Sequence, residues 1–233
     1  MLHKTLKTTT GKLRVSIPTR LDEITLEQLI SMQQEADLND LQAISILSGI
    51  PLSGLQNIIR IDDLHEFALP LLTLAEEIKS LYDSDEIPKS VTFHLEDGYK
   101  TVFVMHNLSV EPAGAFMAAR DIIAEEISAQ VNLYGPDEWQ DHFNPSLQAC
   151  AQVLAHYFYC RATGKPYNEY EAEAFTGEIK KLRVCEALPI AKHFFTCYPN
   201  LSKPKTSCWH RLLPFSKKGR AYKPSISLNT STP

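Results

Sequence analysis

Between Thr25 and Phe195 apolar residues return every third or fourth position in stretch after stretch, usually with a capping residue in front and glycine or proline behind. An α-helix turns once in about 3.6 residues, so this spacing gathers the apolar side chains on one face. Each such face has to be buried against another. The pattern predicts a mainly α (α+β) chain: a helical domain with a small antiparallel β-hairpin or sheet.

Residues 1 to 12 are polar and Thr-rich, and the first element is expected at Leu13, Val15 and Ile17, whose alternation reads as a short strand closed by Pro18. Thr25 and Gln28 have the form of a capping box, so a helix carrying Leu26, Leu29, Ile30 and Met32 inward follows. A second helix is expected from Asn39 or Asp40 through Leu41, Ile44 and Leu47, ending at Gly49. Ser53 and Gln56 repeat the capping-box form before Leu55, Ile58 and Ile59. Asp62 reads as the cap of a longer helix bearing Leu64, Phe67, Leu71, Leu72, Ala75, Ile78 and Leu81, kinked at Pro70.

The clear β signal is Val91–Glu96 and Tyr99–Val104 around Asp97-Gly98, a dipeptide that favours a type I′ turn. Pairing Glu96 with Tyr99 puts Val91, Phe93, Leu95, Val102 and Val104 on one face. A lone hairpin is marginal in water, so that face is expected to pack on helices or to join the Leu13 to Ile17 strand.

Beyond Asn107 a helix is expected with Phe116, Met117, Ile122, Ile123, Ile127 and Val131 inward, ended by Gly135-Pro136. Asn144 as cap and Pro145 at the first helical position begin another, through Leu147, Cys150, Ala151, Leu154 and Phe158 to Gly164. Asn168 caps the next, with Phe175, Ile179 and Leu182 inward, and Leu188 to Phe195 form the last, bent near Pro189. The domain is thus assigned to residues 13–198, with its hairpin near 91–104, and residues 199–233 form a basic Ser/Thr/Pro-rich tail read as disordered.

Charge divides along the same line. From Ala187 onward there is no Asp or Glu, while eight Lys and Arg residues remain; the preceding 186 residues hold the other 15 basic residues against all 28 acids. The tail sets Trp209, Leu212, Leu213 and Phe215 among Arg211, Lys217, Lys218 and Arg220, a composition suited to a partner-binding arm or to nucleic acid. The five cysteines are odd in number, and Cys150 and Cys160, ten residues apart on one helix, stand about 15 Å apart, too far to bridge. Reduced thiols are expected. No apolar h-region opens the chain and no run is long enough to cross a membrane, so the reading is cytoplasmic, without membrane contact.

No Gly-rich phosphate loop, CxxC, HExxH or GxSxG occurs, and no cofactor, metal or catalytic residue is assigned. Three arrangements of chemically capable residues remain. Cys197, Cys208 and His210 with His193 offer soft ligands, but Cys208-Trp209-His210 is too tight for a usual zinc knuckle. Cys160 and His156 at i, i+4 are within reach as a nucleophilic pair, but lack a third, orienting group. The acidic clusters Asp83/Asp85/Glu86, Glu125/Glu126 and Glu169/Glu171/Glu173/Glu178 read as solvated helix faces.

In order, these elements resemble the tail assembly chaperone-like proteins of tailed bacteriophages and prophages, particularly those of Bacteroidetes-type hosts. The likeness begins at Ile17-Pro18-Thr19-Arg20-Leu21-Asp22-Glu23-Ile24-Thr25-Leu26-Glu27-Gln28, similar to that family's strand, "IPT" and helix entered through "EIT". It continues in Ile46-Leu47-Ser48-Gly49-Ile50-Pro51, the helix after Ile61-Asp62-Asp63, the Asp-Gly hairpin, Lys165-Pro166-Tyr167 and the late helix with Phe194-Phe195. The resemblance implies a non-enzymatic protein-binding role in the bacterial host cytoplasm, holding a phage tail structural protein before it polymerises. It carries over no catalytic residues and leaves oligomeric state open. The alternatives are a nucleic-acid-binding accessory protein acting through the tail, and an enzyme with an unfamiliar site.

Overall fold

The computed structural model describes residues 1–35, 38–81, 86–105, 111–139 and 143–197. Order begins earlier than Leu13. Leu2–Thr8 forms a strand, β1, antiparallel to β2 (Gly11–Ile17), with Leu2 opposite Ile17 and Thr8 opposite Gly11. Only Leu2 and Leu6 are large and apolar in β1, so its alternation is faint in the sequence; pairing with β2 fixes it, and Leu6 is buried beside Val15 and Ile17.

A 3-10 turn at Leu21–Glu23 leads to α1 (Leu26–Gln34), whose Thr25–Gln28 capping box is formed from both sides. Asn39 and Gln42 cap α2 (Asp40–Ser48) in the same way, and Gly49 ends it at φ 70°, where a β-carbon would be strained. The short α3 (Leu52–Gln56) starts after Pro51 with no side-chain cap, so Ser53 lies inside it and does not cap it. Ile58 and Ile59 leave the helix because their backbone pairs with β1: Thr9 N–H donates to the Asn57 carbonyl at 3.0 Å and Ile59 N–H to that of Lys7 at 3.0 Å.

The expected kinked helix is instead a 3-10 segment, Ile61–Phe67, running into α4 (Ala68–Leu81). Pro70 sits in the first turn of α4, where its missing N–H has no intrahelical acceptor to forfeit, so it is accommodated there. Restarting the helix rotates the buried stripe: Phe67 and Leu74 are buried, while Leu72, expected inward, is exposed and Ala75 faces out as well.

β3 (Ser90–Leu95) and β4 (Gly98–Phe103) form a hairpin separate from β1–β2. Its turn is Glu96-Asp97, with Leu95 opposite Gly98, and not Asp97-Gly98. A type I′ turn needs positive φ at both central residues, whereas among the described residues only glycines have it; here Gly98, at φ 118°, follows the turn. The register differs from the expected one by two residues, which preserves the face: Val91, Phe93 and Val102 are buried. That face packs on helices, with the Phe93 ring 5.3 Å from Phe158 and 5.4 Å from Phe175.

The remaining helices among the described residues are α5 (Ala113–Tyr134), α6 (Leu147–Thr163), α7 (Glu169–Ala174), α8 (Thr176–Lys180) and α9 (Val184–Cys197). α6 is central among the described elements, touching α1, α5, α7, α8, α9 and β4, and buried from Ala149 to Ala151 and from Val153 to Tyr159. Ser146 caps it, its hydroxyl accepting from Ala149 N–H at 3.1 Å, so Asn144 and Pro145 lie before the cap. Asn168 caps α7 as expected. On α5 the buried stripe is Ala115, Ala119, Ile123 and Ile127, with Met117 exposed. Pro189 lies inside α9, whose entry is tied to that of α1 by Val184 N–H donating to the Ile24 carbonyl at 2.9 Å.

Candidate functional site

Three helices bring one stripe each to a single concave place. α5 contributes Asp121, Glu125 and Glu126, spaced to share a face; α6 contributes Gln152 and His156; α7 contributes Glu169 and Glu173, one turn apart. Together they line a cleft of about 520 Å³. Ala118, Ile122, Ala129 and Ala149 supply its apolar part.

His156 is 3% exposed. Its Nδ1 lies 3.0 Å from the Tyr167 hydroxyl, so the ring's partner is Tyr167 rather than Cys160. Burial lowers its pKa, against the opposing pull of Glu173 and Glu169, and favours the neutral imidazole. Burial also pushes the Cys160 thiol up, with Glu111 adding to the shift, so a thiolate is disfavoured. The His156–Cys160 spacing therefore does not assemble an activated nucleophile in this structure.

The carboxylates divide. Glu126 accepts from Ser146 N–H at 3.0 Å and from its hydroxyl at 2.7 Å, which fixes the start of α6 against α5. Glu171 takes the Tyr159 hydroxyl and Lys165, and Glu178 pairs with Lys181 at 2.7 Å. Glu125, Glu169 and Glu173 make no hydrogen bond or ion pair among the described residues, and all three border the cleft. The acidic spacing was legible in the sequence; that α5 and α7 set it around a buried histidine on α6 was not. Asp83 and Asp85 lie outside the described residues.

A second surface feature is the outer side of the β3–β4 hairpin. Tyr99, Thr101, Phe103 and Met105 alternate outward, with Tyr99 78% and Phe103 76% exposed. Tyr99 packs edge-on against His94 at 4.4 Å, and Thr92 and Thr101 share a hydroxyl hydrogen bond of 3.0 Å. The stripe's end is held from below: Arg161 donates to the Phe103 carbonyl at 3.2 Å, stacks over Tyr157 and pairs with the buried carboxylate of Glu111 at 2.5 Å.

Among the described residues no group of three His, Cys, Asp or Glu side chains is placed to hold a metal, and no helix is long and apolar enough to cross a membrane. His193 lies on α9, but the Cys197 side chain, Cys208 and His210 fall outside the described residues. So do Trp209, Arg211, Leu212, Leu213, Phe215, Lys217, Lys218 and Arg220. Comparison with known proteins finds no matching family, no matching curated protein and no matching solved structure.

Proposed function

We propose that this chain is a non-enzymatic protein-binding factor that holds a phage tail structural protein before it polymerises, acting in the cytoplasm of a bacterial host. The resemblance across residues 13–198 supplies the identity of the client. The observation that carries a binding role is the outward pair Tyr99 and Phe103, large rings displayed on β4 of a hairpin whose inner face is anchored in the core, with Met105 exposed just beyond the strand. Exposed aromatic rings on a braced support are the chemistry of a protein interface, since they bring apolar area at small cost in side-chain order.

The test is co-expression of the full chain with each structural tail protein of one phage genome. The reading expects one client to stay unpolymerised in stoichiometric complex, and the paired change Tyr99→Ser, Phe103→Ser to release it while leaving the fold intact. If no tail structural protein is retained by the unaltered chain, the reading is abandoned.

A further inference from the structure

The outer face of the β1–β2 ribbon is basic on a chain whose net charge is −5. Strand alternation sends Leu6, Val15 and Ile17 into the core and leaves His3, Thr5, Lys7, Lys12, Arg14 and Ser16 on the opposite side. The register sets these six in facing pairs, Lys7 with Lys12, Thr5 with Arg14 and His3 with Ser16. All but the half-buried Ser16 are exposed, and its hydroxyl lies 2.7 Å from His3 Nδ1. No Asp or Glu precedes Asp22 in the sequence. Of the nearby cations, Lys4 is matched by Glu66 and Arg20 by Asp22, but Lys7, Lys12 and Arg14 have no ion pair among the described residues.

The arrangement works against the ribbon's own stability. Ile59 N–H donates to the Lys7 carbonyl, so the Lys7 backbone turns away from β2. Lys7 and Lys12 are therefore a non-hydrogen-bonded pair, the kind whose side chains stand closest. Like charges directly opposite destabilise paired strands, and a merely solvated face needs no such pair. What the face fits is a row of anions that requires no apolar contact. Facing pairs two residues apart along a strand repeat at about 6.8 Å, similar to the separation of successive phosphates along a nucleic-acid strand. Arg14 offers a planar fork to phosphate oxygens, the lysines offer point charges, and the Thr5 hydroxyl is a further donor. A protein partner would call for an apolar core and a lipid surface for apolar side chains to insert, and this face has neither. We propose that the outer face of the β1–β2 ribbon binds the phosphodiester backbone of a nucleic acid through Lys7, Lys12, Arg14 and Thr5. Contact is to the backbone and independent of base sequence. The inference goes beyond the tail-assembly reading, does not rest on it, and concerns a different hairpin.

The experiment is fluorescence-anisotropy titration of a short labelled DNA duplex of mixed sequence with the full chain, begun at about 20 mM salt, where charges are weakly screened, and repeated at rising salt. Saturable binding that weakens with salt is expected. The triple change Lys7→Gln, Lys12→Gln, Arg14→Gln should weaken it by about tenfold or more and flatten the slope of log affinity against log salt by about 3, since each neutralised phosphate contributes about 0.9. That variant should melt no lower than the unaltered chain, because the Lys7–Lys12 repulsion is gone. The same loss of charge in the basic tail, Lys217→Gln, Lys218→Gln, Arg220→Gln, should weaken binding less, and the duplex should still shift the amide resonances of β1 and β2 in that variant. Phosphatidylserine vesicles and an end-blocked oligoglutamate peptide should bind more weakly than the duplex at equal salt. The β3–β4 pair Tyr99→Ser, Phe103→Ser should bind the duplex normally, so that failure of one reading is distinguishable from failure of the other. The proposal is overturned if the duplex does not saturate at low salt, if the tail change weakens binding as much as the ribbon change, if the β1 and β2 resonances stay fixed, or if vesicles or peptide bind more tightly than the duplex.

Discussion

Tyr167 occupies the space that a β-carbon on residue 114 would take: such an atom at Gly114 would lie 2.7 Å from Cε1 of the tyrosine ring. Gly114 is in the first turn of α5 and Tyr167 precedes α7, so the missing side chain lets the tyrosine approach α5 while its hydroxyl meets His156 on α6. Gly114→Ala gains about 1 kcal/mol of helix propensity, but it forces the ring away from the histidine. The expected net result is a loss of about 1–2 kcal/mol in urea unfolding, removed when Tyr167→Ala is combined with it. Equal cost in both backgrounds would show that the ring is not what the new methyl group meets.

Gln28 serves two elements at once. Its side-chain oxygen accepts from Thr25 N–H at 2.9 Å, completing the capping box of α1, and its amide nitrogen donates to the Leu47 carbonyl at 3.0 Å near the end of α2. Thr25→Ala should cost about 1 kcal/mol, the usual value of a cap. Gln28→Ala should cost at least as much, because it also leaves a half-buried carbonyl without its donor. Equilibrium denaturation of both variants checks the order.

What could be read from the sequence depended on how local its cause was. Thr25, Gly49, Gly164 and Asn168 act within a turn of their own helix, so their residue types announce the boundaries. Ser53 has the same signature as Thr25 but sits inside α3, because the chain beyond it is drawn into pairing with β1. Leu72, expected inward, is exposed and Leu74 is buried for a similar reason: the 3-10 segment shifts the phase of α4, and residue type does not encode that shift. The candidate site follows the same rule. Glu169 and Glu173 are visibly one turn apart, but their meeting with Glu125 and His156 is a product of how α5 and α7 flank α6.

Cys150 is buried in the middle of α6, and burial, with Glu126 nearby, pushes its pKa up to about 12. Cys160 and Cys185 are shifted upward as well, in both cases chiefly by burial. Because the thiolate is the reacting form, Cys150 should resist a thiol reagent at neutral pH in the folded protein and react at once in denaturant. Labelling followed by peptide mass analysis reads this residue by residue; fast native labelling of Cys150 would contradict its placement.

His156 should couple stability to pH. Its pKa in the folded protein lies below the ordinary 6.5, so the unfolded chain binds a proton first as pH falls. The stabilisation from keeping it neutral is complete above 6.5 and is lost progressively below that value, towards the folded-state pKa. Denaturation midpoints measured between about pH 7.5 and 5.5 should therefore fall for the unaltered chain. His156→Gln, which keeps a hydrogen-bonding side chain but does not titrate, should flatten that slope. A slope unchanged by the substitution would assign it to other groups.

The two faces of the β3–β4 hairpin should respond oppositely to truncation. Phe93 is fully buried and ties the hairpin to α6 and to the α7–α8 junction through Phe158 and Phe175, whereas Phe103, on the other face, is 76% exposed. Removing a buried phenylalanine costs transfer energy plus a cavity, about 3–5 kcal/mol. An exposed one lies within about 0.5 kcal/mol of neutral. Because an isolated hairpin is marginal in water, Phe93→Ala should also loosen β3 and β4 as a unit, raising amide exchange in both strands more than in α6. Phe103→Ala should leave the exchange of Val91, Phe93 and Val102 unchanged while removing one ring of the surface stripe. Similar stability losses from the two substitutions would mean that the outer face is covered in solution, and the stripe would then no longer be available to a client.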